Sequence, residues 1–230
     1  MKRLLAPLFA STALCLLPSA AQAHSVWIED LPNGQLCVRF AEWGEDFETS
    51  PGHLDSFNIV TGCALDDEGK PVVFDVTKKE DHFLLGGATV EQAKPVFAQL
   101  HFTVRKLHED KPARAPIFHC RWQPEGAGAG TPALTMDIVP TGKPGEARVY
   151  FRGKPLGGVK LGLHAPGKDE QELTADAEGY VRVTDLSKPG PYLLTIARYS
   201  EKLAGFHNGV PYAITSHSAS LYWTVSAKKE

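Results

Sequence analysis

Cysteine is scarce in this sequence, and no cysteine pair has the spacing of a metal-binding motif. The 230 residues contain four cysteines, and none of them forms a C-x-x-C pair. This pattern argues against a zinc site or a redox motif built from thiolates. Cys15 lies in an apolar N-terminal segment. For an exported chain we expect one disulfide and one spare buried thiol among Cys37, Cys63 and Cys120.

The sequence also lacks an excess of basic residues and the short motifs of common enzymes. Lys and Arg together number 24, Asp and Glu number 27, and the formal net charge is -3. A chain without a basic excess neutralises few phosphates, so we expect no nucleic-acid partner. A phosphate loop, a G-x-S-x-G elbow and an H-E-x-x-H pair are all missing from the sequence. Common hydrolase chemistry is therefore not indicated, and we predict no catalytic residue.

One apolar run is present, at the N-terminus, and it has the features of a secretory signal. Lys2 and Arg3 precede the run, and Ala21 and Ala23 occupy the small-residue positions before a cleavage site. The run is shorter than the ~20 residues that a membrane-spanning helix needs. We therefore expect residues 1–23 to be removed, leaving a soluble periplasmic protein that begins at His24. Cleavage after Ala21 is the alternative.

Short alternating runs separated by Gly and Pro predict an all-β protein with few or no helices. Apolar residues recur at every second position in the runs QLCVRF, ARVYF, VKLGLHAP and SASLYWTV. The stretch from Gln123 to Ala133 is rich in Gly and Pro and predicts a linker. We therefore predict two β-sandwich domains, residues 24–122 and residues 134–230. The second has the length of an Ig-like domain, which is ~100 residues.

Five segments together resemble the NikM-like periplasmic proteins that are associated with nickel uptake. The segments are AHSVWIED, GKPLGGVKL, TADAEGYVRV, KPGPYLLTIA and GVPYAITSHSASLYWTV. Members of that family commonly begin, after the signal, with a histidine that is followed three positions later by a tryptophan, here His24 and Trp27. The resemblance implies an Ig-like C-terminal domain similar to the repeats of carrier proteins. It also implies a role in handling nickel, cobalt or copper.

His24 is the first candidate metal ligand. If cleavage frees its α-amine, this amine and the ring Nδ1 can close a six-membered chelate around one ion. Such nitrogen ligands suit Ni²⁺ and Cu²⁺. An ordinary α-amine has a pKa of about 8, so a metal displaces its proton readily near neutral pH. Cleavage after Ala21 would place the histidine third from the amine, which also binds these ions. A histidine beside a cleavage site can also lie idle in a disordered terminus.

His217 is the first choice for a second ligand. Side chains on a strand alternate between its two faces, so His217 should lie on the same inward face as Ala219 and Leu221. His207 lies in a glycine-flanked loop, and His119 is a weaker candidate that we predict to face outward. The predicted metal ligands are thus His24, His217, His207 and His119. We expect solvent-facing positions for the other five histidines: His53, His82, His101, His108 and His164.

These observations lead to one prediction of function and two alternatives. We predict a non-enzymatic periplasmic protein that binds Ni²⁺ or Cu²⁺ and passes the ion to a transporter in the inner or outer membrane. The first alternative is an oxidative enzyme that holds copper in a histidine brace. The second is an Ig-like interaction module in which His24 binds nothing.

Overall fold

The computed structural model describes residues 24–106 and 110–227, so the predicted signal segment and His108 lie outside the described residues. Within them the chain is all-β, as the alternation predicted, and the sole helical element is a 3-10 turn at His53–Ser56. None of the described residues forms a helix long and apolar enough to cross a membrane.

The part of the chain that the structure describes forms seventeen strands, in this order. The first seven are β1 (Ser25–Asp30), β2 (Gln35–Ala41), β3 (Phe57–Leu65), β4 (Pro71–Lys78), β5 (Phe83–Thr89), β6 (Val96–Phe102) and β7 (Arg114–Gln123). The next six are β8 (Met136–Pro140), β9 (Glu146–Phe151), β10 (Lys154–Pro155), β11 (Lys160–His164), β12 (Gln171–Thr174) and β13 (Tyr180–Arg182). The last four are β14 (Gly190–Glu201), β15 (Gly205–His207), β16 (Val210–Tyr212) and β17 (Ile214–Val225).

One sheet of 11 strands runs through both halves of the described chain. Its order is β1-β2-β5-β4-β3-β6-β7-β17-β14-β11-β12. Its pairs are antiparallel except where β17 joins β7 in parallel. A second sheet contains β8, β9, β10 and β13, and β15 and β16 form a separate hairpin. The parallel pair therefore joins strands from the two predicted domains edge to edge.

Two hydrophobic cores lie on opposite faces of the joined sheet, as expected for stacked β-layers that each bury one face. The first core is built mainly from β1 to β7, and the second fills the space between the β8–β9–β13 sheet and strands β11, β14 and β17. Adjacent residues of one strand contribute to different cores. Leu193 and Tyr222 belong to the first core, whereas Leu194 and Leu221 belong to the second.

The predicted linker at residues 123–133 begins at the last residue of β7 and continues toward β8, where the chain passes from the first core to the second. Arg121 and Asp137 form a buried ion pair across this passage, with Nη2 and Oδ2 2.7 Å apart. The separate folding of residues 24–122 and 134–230 stays a prediction, because the two parts share a sheet and two of its strands face both cores.

The expected disulfide is wrong, since Cys37, Cys63 and Cys120 are all free thiols. They lie on β2, β3 and β7, and none of these three strands is a direct neighbour of another in the sheet order. Cys37 and Cys120 are fully buried. Burial raises the pKa of each of these two thiols to about 12, which keeps them protonated and unreactive.

Candidate functional site

His24 lies where the first two strands of the sheet meet. Ser25 pairs with Ala41 in the antiparallel β1–β2 ladder, so the residue before β1 comes next to the residue after β2. These two residues are His24 and Glu42, and the His24 Nδ1 lies 3.6 Å from the Glu42 carboxylate. Trp27 is buried beside Trp43, with ring centroids 5.3 Å apart.

The segment after β2 folds back over this corner and brings two further side chains to His24. The Glu48 N–H donates a hydrogen bond of 2.9 Å to the carbonyl of Phe40 in β2. Leu54 is completely buried and holds the following 3-10 turn against the first core. Gly52 is required between them, because its φ is +155° and an added Cβ would lie 2.7 Å from the Thr49 carbonyl oxygen.

Within the described residues, His24, Glu48 and His53 form a group whose potential ligand atoms all lie within 4.8 Å of one another. We call this group the terminal cluster. The Glu48 Oε1 lies 2.6 Å from the His24 Nε2 and 3.0 Å from the His53 Nδ1. Hydrogen bonds from His53 and His24 lower the pKa of Glu48 in spite of partial burial. Two imidazoles and a carboxylate are a ligand set that suits divalent transition metals.

Neither Glu48 nor His53 was predicted from the sequence as a partner of His24. Glu48 belongs to the acidic run EDFE, and His53 follows it in a segment rich in turn-forming residues. The signal available in the sequence was the closeness of that acidic run to a histidine. The side chain of His53 is 71% exposed, which agrees with its predicted solvent-facing position.

The other three predicted ligands lie elsewhere, on the second face of the sheet. Ser216 and Ser218 border a cavity with His24, and His217 between them points the opposite way because strand residues alternate. The parity prediction for His217 is correct, since Ala219 and Leu221 face the second core. Because its neighbours Ser216 and Ser218 face the cavity that His24 lines, His217 lies on the opposite face of the sheet from that cavity.

On this second face, His119, His217 and Glu201 are linked by hydrogen bonds, and we call them the sheet cluster. The His119 Nε2 lies 3.0 Å from the His217 Nδ1, and the His217 Nε2 lies 3.0 Å from the Glu201 carboxylate. Glu201 also pairs with Arg152 at 2.7 Å. Burial raises the pKa of Glu201, but the hydrogen bonds from His217 and Arg152 outweigh this effect and lower it.

The prediction that His119 faces outward is wrong, because His119 is only 1% exposed. Strands β6 and β17 flank β7 and pair with it on both sides of His119, and the second sheet packs over this face. Burial, followed by the positive charges of His217 and His101, lowers the pKa of His119 to about 3. His119 is therefore neutral at physiological pH, and its Nδ1 has no hydrogen-bond partner among the described residues.

His207 lies in the β15 strand of the small hairpin and stacks on His101, with ring centroids 5.8 Å apart. Its Nε2 lies 3.2 Å from the Asn58 side-chain amide. The structure thus brings His119 and His217 together, places His207 on a neighbouring histidine, and gives His24 other partners, namely Glu42, Glu48 and His53. Their role as metal ligands stays a prediction.

Two of the histidines that were expected to face solvent are partly buried, and a third is fully buried. His82 is bonded to the Asp81 carboxylate at 2.6 Å, and His101 contacts Gln99 at 2.9 Å. His164 is only 5% exposed and stacks on Trp43, with ring centroids 5.7 Å apart. The prediction for His164 is therefore wrong, because the Trp43 ring covers its face of β11.

Comparison with known proteins gives little that bears on these sites. No protein-family profile matches the chain, and no curated protein matches it in sequence. Among solved structures, a chimeric titin Z1Z2-Z1Z2 tandem functionalized with a GRGDS exogenous peptide from fibronectin matches at 11% identity. The match covers 87% of this chain and 97% of that one, with a TM-score of 0.19. At this level of similarity, the match supports no conclusion about function.

Proposed function

We propose that this chain is an exported protein that binds a transition-metal ion, nickel, cobalt or copper, and takes part in its uptake or handling in the periplasm. The observation that carries the proposal is the terminal cluster, in which His24, Glu48 and His53 offer ligand atoms within 4.8 Å of one another. The export signal, the resemblance to nickel-associated periplasmic proteins and the position of His24 after the cleavage site all agree with it.

The cluster allows two modes of binding through His24, and they use different ring nitrogens. In the first, the Nε2 that now contacts Glu48 binds the ion together with Glu48 and His53. In the second, the freed α-amine and the Nδ1 form the chelate, and the Nδ1 faces Glu42. In either mode the ion displaces protons from its ligands, so affinity falls as the pH is lowered.

Calorimetric titration of the mature protein with Ni²⁺ and with Cu²⁺ tests this proposal. We expect one ion per chain, and we expect His53→Ala and Glu48→Gln to weaken binding at least about tenfold, because each removes a ligand. His207→Ala is the matched control, since it removes a partly buried histidine outside the terminal cluster. His53 is mostly exposed, so its replacement leaves the fold intact, which circular dichroism would check.

A form that carries a methionine before His24 separates the two modes. If it binds like the mature protein, the side chains alone form the site, whereas a large loss points to the α-amine. If His207→Ala weakens binding as much as His53→Ala does, the terminal cluster is not the site. Absence of binding by the mature protein would favour the interaction module. Peroxide production with copper and a reductant would favour the oxidative enzyme.

A further inference from the structure

A cavity of about 510 Å³ opens directly beside the terminal cluster. His24 and His53 form part of its wall, and Phe40, Phe102 and Phe118 supply apolar surface. The volume lies within the range of roughly 300–1,000 Å³ that is typical of small-molecule sites. A ligand in this cavity would therefore reach the same two histidines that are proposed to bind the metal.

Three arginines and no carboxylates line this cavity among the described residues. The arginines are Arg105, Arg114 and Arg198, and we call the space the arginine cavity. Ser56, Thr103, Ser216 and Ser218 also line the cavity, and the Ser218 hydroxyl donates a hydrogen bond of 2.7 Å to the Ala197 carbonyl. The concentration of positive charge is local, because the whole chain carries a formal net charge of -3.

These three arginines differ from most of the other described arginines, which pair with carboxylates. Within the described chain, none of the three forms an ion pair. Four other arginines each pair with a carboxylate: Arg39 with Glu29, Arg121 with Asp137, Arg152 with Glu201 and Arg182 with Glu146. Burial, followed by the charges of Arg198 and Arg105, lowers the pKa of Arg114. The three charges thus repel one another, and an anion among them would relieve this repulsion.

The backbone holds the three arginines at the cavity in two ways. Arg105 and Arg114 pair with each other through reciprocal backbone hydrogen bonds of 2.8 and 2.9 Å. Arg198 lies in a register shift of β14 between Ile196 and Tyr199, where the regular pairing with β17 is interrupted. Bulges of this kind re-aim side chains and are over-represented next to functional sites.

We propose that the arginine cavity binds an oligocarboxylate that carries the metal, so that the protein captures an anionic metal chelate rather than a bare ion. The carboxylates of the chelator would bind Arg105, Arg114 and Arg198, since a guanidinium matches a carboxylate with two parallel hydrogen bonds. The metal would face His24, Glu48 and His53. This inference rests on the proposed metal-binding function and adds to it the chemical class of the substrate.

Equilibrium dialysis of the mature protein against labelled citrate, with and without Ni²⁺, tests the inference, with citrate as the probe. We expect one citrate to be retained per chain only when Ni²⁺ is present. Arg114→Gln and Arg198→Gln should weaken retention of nickel citrate by about tenfold or more, because each removes a charged hydrogen-bond partner. Both variants should bind Ni²⁺ alone like the wild type.

Two further variants serve as controls. Arg148→Gln makes the same chemical change outside the cavity and should retain nickel citrate like the wild type. His53→Ala should lose both Ni²⁺ and nickel citrate, because the metal would lack a ligand.

Four outcomes would overturn the inference. If citrate strips Ni²⁺ from the protein without being retained, the chelate is not the substrate, although metal binding itself stands. Equal retention of citrate with and without Ni²⁺ would show an anion site unrelated to the metal. Displacement of citrate by an equal concentration of inorganic phosphate would show a site for small inorganic anions. If the protein binds neither Ni²⁺ nor nickel citrate, the proposed metal-binding function fails as well.

Discussion

Replacing Asp137 with asparagine should destabilise the protein strongly, because it removes the counterion of a buried arginine. Arg121 in β7 is 1% exposed and binds the two Asp137 carboxylate oxygens through its Nε and Nη2 at 2.9 and 2.7 Å. The Asp137 Oδ2 also accepts the backbone N–H groups of Ala133 and Leu134. This one carboxylate therefore ties the strand before the linker to the strand after it.

The cost of Asp137→Asn can be estimated from the burial of both partners. Removing one partner of a buried ion pair typically costs about 3–5 kcal/mol, because the remaining charge is left uncompensated. Domains of about this size lose roughly 2–4 °C in Tm for each kcal/mol, which gives a decrease of about 6–20 °C. The asparagine amide would in addition place N–H donors opposite the donors of Arg121.

Thermal unfolding of the mature protein, followed by circular dichroism, measures this effect. Asp185→Asn is the matched control, because its partner Lys168 is near the surface and the Asp185 side chain is half exposed. Exposed pairs of this kind contribute little to stability. If Asp137→Asn lowers Tm no more than Asp185→Asn does, the buried pair does not stabilise the junction.

A double variant separates the charge from the hydrogen bonds. Arg121→Met combined with Asp137→Leu removes both charges, so it should recover part of the loss seen in Asp137→Asn. Full recovery is not expected, since the N–H groups of Ala133 and Leu134 would lose their acceptor. Recovery to wild-type stability would show that these two backbone bonds contribute nothing.

Two further predictions concern buried titratable groups. The folded state lowers the pKa of His119 from 6.5 to about 3 through burial and the charges of His217 and His101. The stability that neutral His119 allows is therefore fully present above pH 6.5 and is lost as the pH falls toward 3. His119→Gln should flatten the decline in Tm between pH 6.5 and about pH 5. Parallel curves of Tm against pH for the variant and the wild type would contradict this prediction. A thiol reagent should label only the half-buried Cys63 in the native mature protein and all three thiols in denaturant, whereas fewer than three in denaturant would reveal a disulfide.

The all-β class and the inward face of β17 could be predicted from sequence, because alternation is a local property. The inward parity of Ala219 and Leu221 holds in the structure, and with it the inward position of His217. Neighbouring side chains on a strand point to opposite faces of the sheet. Apolar residues at every second position therefore indicate which face of the strand is buried.

Local patterns could not show which buried face each strand would meet. The expectation that His119 faces outward was wrong because its surroundings are distant in the chain. The strand that pairs with β7 is β17, and His217 on β17 is 98 residues away from His119. The expected disulfide was wrong for the same reason, since the order of the strands in the sheet, which separates the three cysteines, cannot be read from local patterns.

Some features of the candidate site depend on residues that are close in sequence, and others depend on residues that are far apart. The sequence by itself determined the all-β pattern, since alternation depends on residues close together in the chain, whereas the export signal and the choice of His24 stay predictions. Only the tertiary structure decided that Glu48 and His53 are its partners, that His217 faces the other side of the sheet, and that three arginines converge beside the cluster. These placements depend on pairings between distant strands, which form because whole faces of the sheet must be buried together.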